Sequence, residues 1–376
     1  MKKLIIGITA PSSVILLKGQ LKYFNEKGYD CYLLAPKYER TLSFCKKEGC
    51  TLLPVNIKRE ISPMYDLMAL LAIIIHFTKV KPDVINVGTP KMGLLGSLAG
   101  WLTGINNRIY TCRGYRFEHE KGFLKKLLLF MEKMASAAAH EIICISDSVR
   151  ELGLKHKLFT PDKAVVVNKG SSNGIDIGRF NPDNVSDQEK NKLIEKLNVN
   201  NAFVYGYVGR LVDRKGINEL YEAFVNLKDR YDTIKLIVVG PVERNQISDL
   251  SIIKKMEDHP DIIMTGKQLN VPLYLSIMDV FVLPAWWEGF GNVLVEAAAM
   301  NVPVLSTTGT GSRDAVNDGF NGLLVPAKQV EPLTKAMERL YNDDELRAKL
   351  GSNGRVWAKN FDSEIIWQGM HELYSK

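Results

Sequence analysis

Short apolar runs of strand type alternate with stretches of helical periodicity along this whole chain. The first series runs through 4–8, 18–27, 31–34, 67–78, 84–87, 108–111, 141–145 and 165–168. A second runs through 202–208, the helical 217–227, then 235–239, 262–265, 280–283 and 302–306. Strand and helix in alternation require a parallel sheet with helices on its faces, which makes the chain α/β. Ser146, Asp147 and Ser148 follow one strand as an N-cap group for the next helix.

Between the two series lies KGSSNGIDIGRFNP, residues 169–182, rich in Gly, Ser and Asn and poor in core-forming side chains. It reads as a hinge. A chain of 376 residues exceeds one ordinary core. The expected organisation is a Rossmann-like domain over 1–172, a second over 173–360, and a helix over 361–376 that packs back towards the first. That last segment carries Phe361, Ile365, Ile366, Trp367 and Leu373 at roughly helical spacing.

The five cysteines, Cys31, Cys45, Cys50, Cys112 and Cys144, are scattered without a CxxC pair, which suits a reduced cytoplasmic setting rather than a disulfide framework or zinc site. Charge is uneven: residues 1–175 hold 26 Lys and Arg against 14 Asp and Glu, within a chain of net charge +7. A basic first half suits anionic lipid or a diphosphate-bearing acceptor, and no motif that reads nucleic acid accompanies it. The opening MKKLIIGITAP is too short in its apolar run for a signal peptide and reads as a first buried strand. The apolar segment 67–77 falls short of the roughly 20 residues that span a bilayer and reads as a buried helix. Lysines and apolar residues at 121–134 separate onto opposite helix faces, as in a helix that covers a sheet or rests on a membrane surface.

Two motifs carry chemistry. In EGFGNVLVE, Glu288 and Glu296 flank a glycine-aromatic-glycine turn that leads from an apolar strand into an alanine-rich helix starting near Asn292. The free N–H groups and positive dipole end of that helix suit an anion. Were both glutamates on helical turns, Glu296 would lie about 80° further round than Glu288, one carboxylate reaching a sugar and the other a ribose. The bland alternative has Glu296 pairing with a basic neighbour and Glu288 capping the helix. The second motif is Gly209-Arg210-Leu211-Val212-Asp213-Arg214-Lys215-Gly216, with cations placed to neutralise a diphosphate leaving group.

With both motifs in one half, the sequence resembles the family 4 glycosyltransferases across essentially its whole length. Asn173-Gly174-Ile175-Asp176 with Phe180 and Pro182, Gly240, Gly266, Val302-Pro303-Val304 and Asn321-Gly322-Leu323-Leu324-Val325-Pro326 also match. The resemblance implies a GT-B fold, two facing Rossmann-like domains with parallel sheets and a cleft between them, and a retaining transferase. It implies that Gly209, Arg210 and Lys215 bind the donor diphosphate and that Glu296 binds the ribose. Glu288 would contact the donor sugar, with the backbone of Phe290, Gly291, Asn292 and Val293 holding sugar and phosphate. Ala10-Pro11-Ser12-Ser13 replaces the family's Gly-Gly pair, and Arg113 stands where many members have a His. Arg113 is thus a catalytic candidate, with Ser12, Ser13, Glu118 and His119 as acceptor-side candidates. The arginine-glycine form is similar to bacterial enzymes that build capsule, O-antigen or other lipid-linked glycans, some transferring N-acetylgalactosamine to an undecaprenyl-diphosphate sugar.

The expected activity moves a sugar, an N-acetylhexosamine among the options, from a nucleotide-sugar, UDP-linked by preference, to a polyprenyl-diphosphate-linked glycan at the inner membrane face. No DxD sequence occurs, and the cations can carry the charge, so no metal and no cofactor is expected. A nucleotide-sugar 2-epimerase, a phosphorylase and a noncatalytic nucleotide-sugar sensor share the fold and stay as alternatives. A dinucleotide dehydrogenase is disfavoured because no GxGxxG follows an early strand. Trp286 and Trp287 are either packing or an aromatic wall over the ligand.

Overall fold

The computed structural model describes residues 1–58 and 60–376. The chain forms two compact units: Met1–Gly174 with Ser363–Lys376, and Ile175–Asp362. The boundaries fall at 174/175 and 362/363, against 172/173 and 360/361 expected from composition.

In the first unit β1 (Lys2–Gly7), α1 (Gln20–Glu26), β2 (Tyr29–Ala35), α2 (Glu39–Glu48), β3 (Thr51–Pro54), α3 (Pro63–Val80), β4 (Val84–Gly88) and α4 (Pro90–Leu102) follow in turn. Then come β5 (Asn107–Cys112), α5 (Gly122–Ala138), β6 (Glu141–Cys144), α6 (Asp147–Lys155) and β7 (Ala164–Val166). The strands pair in parallel in the order β3-β2-β1-β4-β5-β6-β7. Successive strand residues point to opposite faces, so Leu4 and Ile6 enter one hydrophobic cluster and Ile5 another. Both faces are therefore covered, as the unbroken apolar strands demand. Ser146 caps α6 as expected, its Oγ accepting from Val149 N at 3.2 Å.

The second unit runs α7 (Asp187–Lys196), β8 (Phe203–Val208), α8 (Ile217–Lys228), β9 (Ile234–Val239), α9 (Ser251–Asp258), β10 (Ile262–Gly266), α10 (Val271–Leu275) and β11 (Val280–Leu283). It continues with α11 (Asn292–Ala299), β12 (Val304–Thr307), α12 (Ser312–Ala315), β13 (Gly322–Val325), α13 (Val330–Asn342) and α14 (Asp344–Ala358). Its strands are parallel too, in the order β10-β9-β8-β11-β12-β13.

The last helix, α15 (Ser363–Ser375), belongs to the first unit. It buries Ile366, Met370 and Tyr374, a stripe of step four, against Phe24 and its neighbours. This differs from the expected face: Ile365 is exposed, and Phe361 lies in the second unit on Phe290, ring centroids 5.0 Å apart. Two other expectations are corrected. The 67–77 segment is not a fully buried helix; α3 buries Ala69, Ile73 and Phe77, packs Leu70, Ala72 and Ile74 partly against the same core, and turns Leu67, Met68, Leu71 and Ile75 outwards. Nor is 169–182 an open linker at its start, since Ser171, Ser172 and Asn173 are buried. Asn173 donates to the Lys18 carbonyl at 2.9 Å and accepts from Trp367 Nε1 at 2.7 Å.

Candidate active site

Each sheet reverses its strand order once, between β1 and β4 in the first unit and between β8 and β11 in the second. Open parallel sheets bind ligands beyond the carboxyl ends of the strands at such points. The loop carrying Arg210 and Lys215 follows β8, and the loop carrying Glu288 follows β11, so both motifs meet that rule.

Backbone geometry draws the two loops together. Trp286 N donates to Arg214 O at 2.8 Å. Gly216 has φ +72°, and a Cβ there would lie 2.0 Å from the Pro284 carbonyl oxygen, so only glycine fits both the conformation and the approach. Trp286 is tied to α8 by its Nε1, which donates to Glu219 Oε1 at 2.7 Å, while the Lys328 ammonium lies 4.2 Å from its ring centre. Trp287 faces the Arg214 guanidinium at 4.7 Å.

Lys215 is almost fully buried, and its Nζ contacts Glu288 Oε1. Arg214 Nη1 stands 3.9 Å from the other oxygen of the same carboxylate. Glu288 therefore bridges two cations of the β8 loop, and its own N–H donates to Thr310 O at 2.8 Å. Arg210 Nη1 meets both oxygens of Glu243, at 2.9 and 3.0 Å. The Glu243 loop is zipped to the Arg210 loop by Leu211 N to Pro241 O and Glu243 N to Leu211 O, at 2.9 and 3.2 Å.

Gly291, with φ +85°, is the N-cap of α11 and has no side chain with which to cap that end. Glu288 is thus neither on the helix nor its cap, so the 80° estimate between the glutamates does not apply, and the ion pair assigned to Glu296 in the bland alternative belongs to Glu288. Asn292 and Val293 form the half-buried first turn, and Phe290 is buried. Glu296 lies on α11, and burial pushes its carboxyl up to about 7, with Arg179 pulling the other way. Burial, followed by the Glu288 charge, also raises the hydroxyl of Tyr207, which donates to Arg210 O at 2.8 Å.

In the first unit, Arg113 follows β5 and lies over Gly88, where a Cβ would clash with Nη1. Its Nε and Nη1 are buried without a hydrogen-bond partner, and burial lowers its guanidinium to about 10. Beside it, Thr89 holds φ +72°, a strained conformation for a β-branched residue. Thr89 Oγ1 accepts from Thr9 N at 3.1 Å and lies 2.6 Å from Thr9 Oγ1. Ser12 and Ser13 sit in the 3-10 helix Pro11–Leu17 after β1, Ser12 exposed and Ser13 half-buried. Glu118 and His119 pair with each other at 3.7 Å in the 3-10 helix Arg116–His119. Arg214, Glu243 and Glu219 escaped the sequence reading. Arg214 stood inside the quoted loop, and Glu243 follows the noted Gly240 by three residues, yet no spacing rule ties a carboxylate to a cation in another loop.

Family models match both halves. One described as Glycosyltransferase Family 4 covers residues 17–179, and one described as Glycosyl transferases group 1 covers residues 189–357. The capsular polysaccharide biosynthesis glycosyltransferase CapM of Staphylococcus aureus is 37% identical over 98% of this chain and 95% of its own. The chain is a family 4 glycosyltransferase. This glycosyltransferase is also 27% identical to the UDP-Gal:alpha-D-GlcNAc-diphosphoundecaprenol alpha-1,3-galactosyltransferase of Escherichia coli, over 82% of this chain and 77% of that one. The crystal structure of Anabaena Alr3699/HepE in complex with UDP and glucose matches its fold with a TM-score of 0.83 over 100% of both chains, at 19% identity. Two units on parallel sheets, with these neighbours, make the fold GT-B.

Proposed function

We propose that this family 4 enzyme transfers a hexose or N-acetylhexosamine, with retention, from a UDP-sugar to a polyprenyl-diphosphate-linked glycan in surface polysaccharide assembly. The observation that carries the reading is the convergence at the β8/β11 switch point: Lys215, Arg214 and Glu288 in one ion-paired group, next to the glycine-led start of α11. Breaking the bond between the anomeric carbon and phosphate builds positive charge on the sugar and negative charge on the departing diphosphate. Arg210, Lys215 and Arg214, with the N–H groups of Gly291, Asn292 and Val293, supply fixed positive potential for that diphosphate, and Glu288 supplies negative charge beside the sugar. The leaving group needs no general acid: the cations neutralise it, its freed phosphate oxygen takes the proton that the acceptor hydroxyl loses, and neither a metal nor a cofactor has a part in this scheme. Glu296 accepts from the ribose hydroxyls.

The first unit takes the acceptor in this reading. Arg113, its Nε and Nη1 unpartnered beside the strained Thr89, offers its guanidinium to the acceptor diphosphate, with Ser12 and Ser13 in the 3-10 helix after β1 and Glu118 and His119 in the one after β5. Peripheral contact of the basic first unit with the inner membrane face belongs to the same reading. The E. coli relative's name supports both UDP and a diphosphoundecaprenol acceptor.

The test is a transfer assay with UDP-galactose, UDP-glucose and their N-acetyl counterparts, a polyprenyl-diphosphate sugar as acceptor, and EDTA present throughout. One UDP-sugar should give an α-linked product by NMR, and Lys215→Ala should lower kcat/KM at least 100-fold, about 2.7 kcal/mol. Product formed only after added divalent cation would overturn the metal-free scheme. Full activity in Lys215→Ala would overturn the site.

A further inference from the structure

The outer face of α3 is a continuous apolar stripe. Met64, Leu67, Met68, Leu71 and Ile75 fall at helical spacing opposite the buried Ala69, Ile73 and Phe77, and each is more than half exposed. Single exposed apolar residues need no explanation, but five on one helix face do. On the same side of the sheet α4 packs against both α3 and α5, and α5 exposes Phe123, Phe130 and Met134 as well as Lys126 and Lys133.

Charge on these helices is one-sided. Among α3, α4 and α5 the acidic residues are Asp66 and Glu132, and both are engaged. Asp66 pairs with Lys91 Nζ at 2.8 Å, and Glu132 accepts from the Tyr110 hydroxyl at 2.8 Å. The outward charges left on the three helices are lysines, Lys79, Lys126 and Lys133 among them, while Lys58 lies over the exposed Tyr65 ring at 3.5 Å.

We propose that this face rests on the anionic leaflet of a bilayer, with α3 flat in the headgroup plane, its stripe among the upper acyl carbons and the lysines on lipid phosphate. The 18-residue α3 is long and apolar enough to cross a membrane. Its inner side rules that out, because Ala69, Ile73 and Phe77 share a core with Ile5, Leu34 and Ile85 that crossing would tear apart. A second copy of the chain fits poorly, since a twofold contact would set lysines against lysines with no free acid on these helices to answer them. Tyr65 on α3 and Trp101 at the end of the neighbouring α4, both exposed, suit the interfacial zone. The proposal draws on the acceptor reading only for its purpose, which is to hold the enzyme where a polyprenyl-linked substrate lies.

Flotation of the full chain with vesicles of equal parts phosphatidylglycerol and phosphatidylcholine, with neither donor nor acceptor, tests the surface apart from catalysis. Binding should be strong to these vesicles, weak to pure phosphatidylcholine, and reduced by salt. Met68→Glu with Leu71→Glu should lower partitioning at least tenfold, and Lys126→Glu with Lys133→Glu about tenfold or more. Circular dichroism and transfer to a short-tailed soluble acceptor should be unchanged in both variants. Undiminished binding by the Met68/Leu71 variant would overturn the proposal. So would light scattering that shows a dimer which this variant splits, or capture of an acidic protein partner by the stripe with no vesicle binding. Stripe-dependent vesicle binding by a protein that transfers no sugar would uphold the surface and sink the acceptor reading alone.

Discussion

Arg210 and Lys215 each carry a carboxylate partner, Glu243 and Glu288, and the two pairs are not equivalent. The Lys215 pair is nearly buried, whereas Arg210 and Glu243 are partly exposed, where an ion pair is worth only about 0.2–1 kcal/mol. A diphosphate reaching Arg210 competes with Glu243. Glu243→Gln is therefore expected to tighten donor binding by about two- to fivefold in calorimetry; weaker binding would mean that Glu243 aims Arg210 instead. Glu296 gives a pH signature. Its raised value, about 7, means that below neutrality the folded enzyme holds a carboxylic acid, a poorer acceptor for two ribose hydroxyls. Donor affinity should rise as pH rises through about 7, and Glu296→Gln should be weaker and flat with pH. The stability sign is opposite: a carboxyl raised on folding costs stability once pH exceeds its unfolded value of 4.5, and increasingly up to about 7. Glu296→Gln should thus melt higher than the parent at alkaline pH, with no such gain in acid. The sequence announced Arg210, Lys215, Glu288 and Glu296 because glycines and charges mark the strand ends. It was silent on the contacts of Arg214 with Glu288 and of Glu243 with Arg210, which arise from which loops fold against each other.

At the scale of elements, the site depends on one glycine where two strand ends meet. Gly216 closes the β8 loop and opens α8 at positive φ, against the Pro284 backbone. Gly216→Ala should cost about 2–4 kcal/mol, lowering Tm by several degrees, and weaken donor binding in the fraction that folds. An unchanged melt would show that the β11 end can retreat. Most strands were legible from their apolar runs alone, because both faces of each sheet are covered. β3, β13, α13 and α14 were among those not read, because short or polar-rich segments carry little periodic signal. α3 misled for a different reason: a helix apolar on all sides gives no sign of which side will find a partner.

At the scale of the whole molecule, the second unit is one unbroken stretch and the first is not, since it takes α15 from beyond the second. Ile366, Met370 and Tyr374 fill the first unit's core beside Phe24, and the Tyr374 hydroxyl accepts from Asn86. Removing three such side chains would cost about 6 kcal/mol or more. A chain ending at Asp362 should expose the first unit to limited proteolysis while 175–362 stays protected; equal protection of both would contradict this assignment.

That discontinuity also sets an order of events at the ribosome. The second unit has all its residues once Asp362 has emerged, whereas the first must wait, its core still open, for a helix made after the second unit. The basic half that is proposed to meet lipid thus becomes competent only after the half proposed to grip the donor, so a chain that has not yet reached α15 has no completed first unit with which to occupy the membrane.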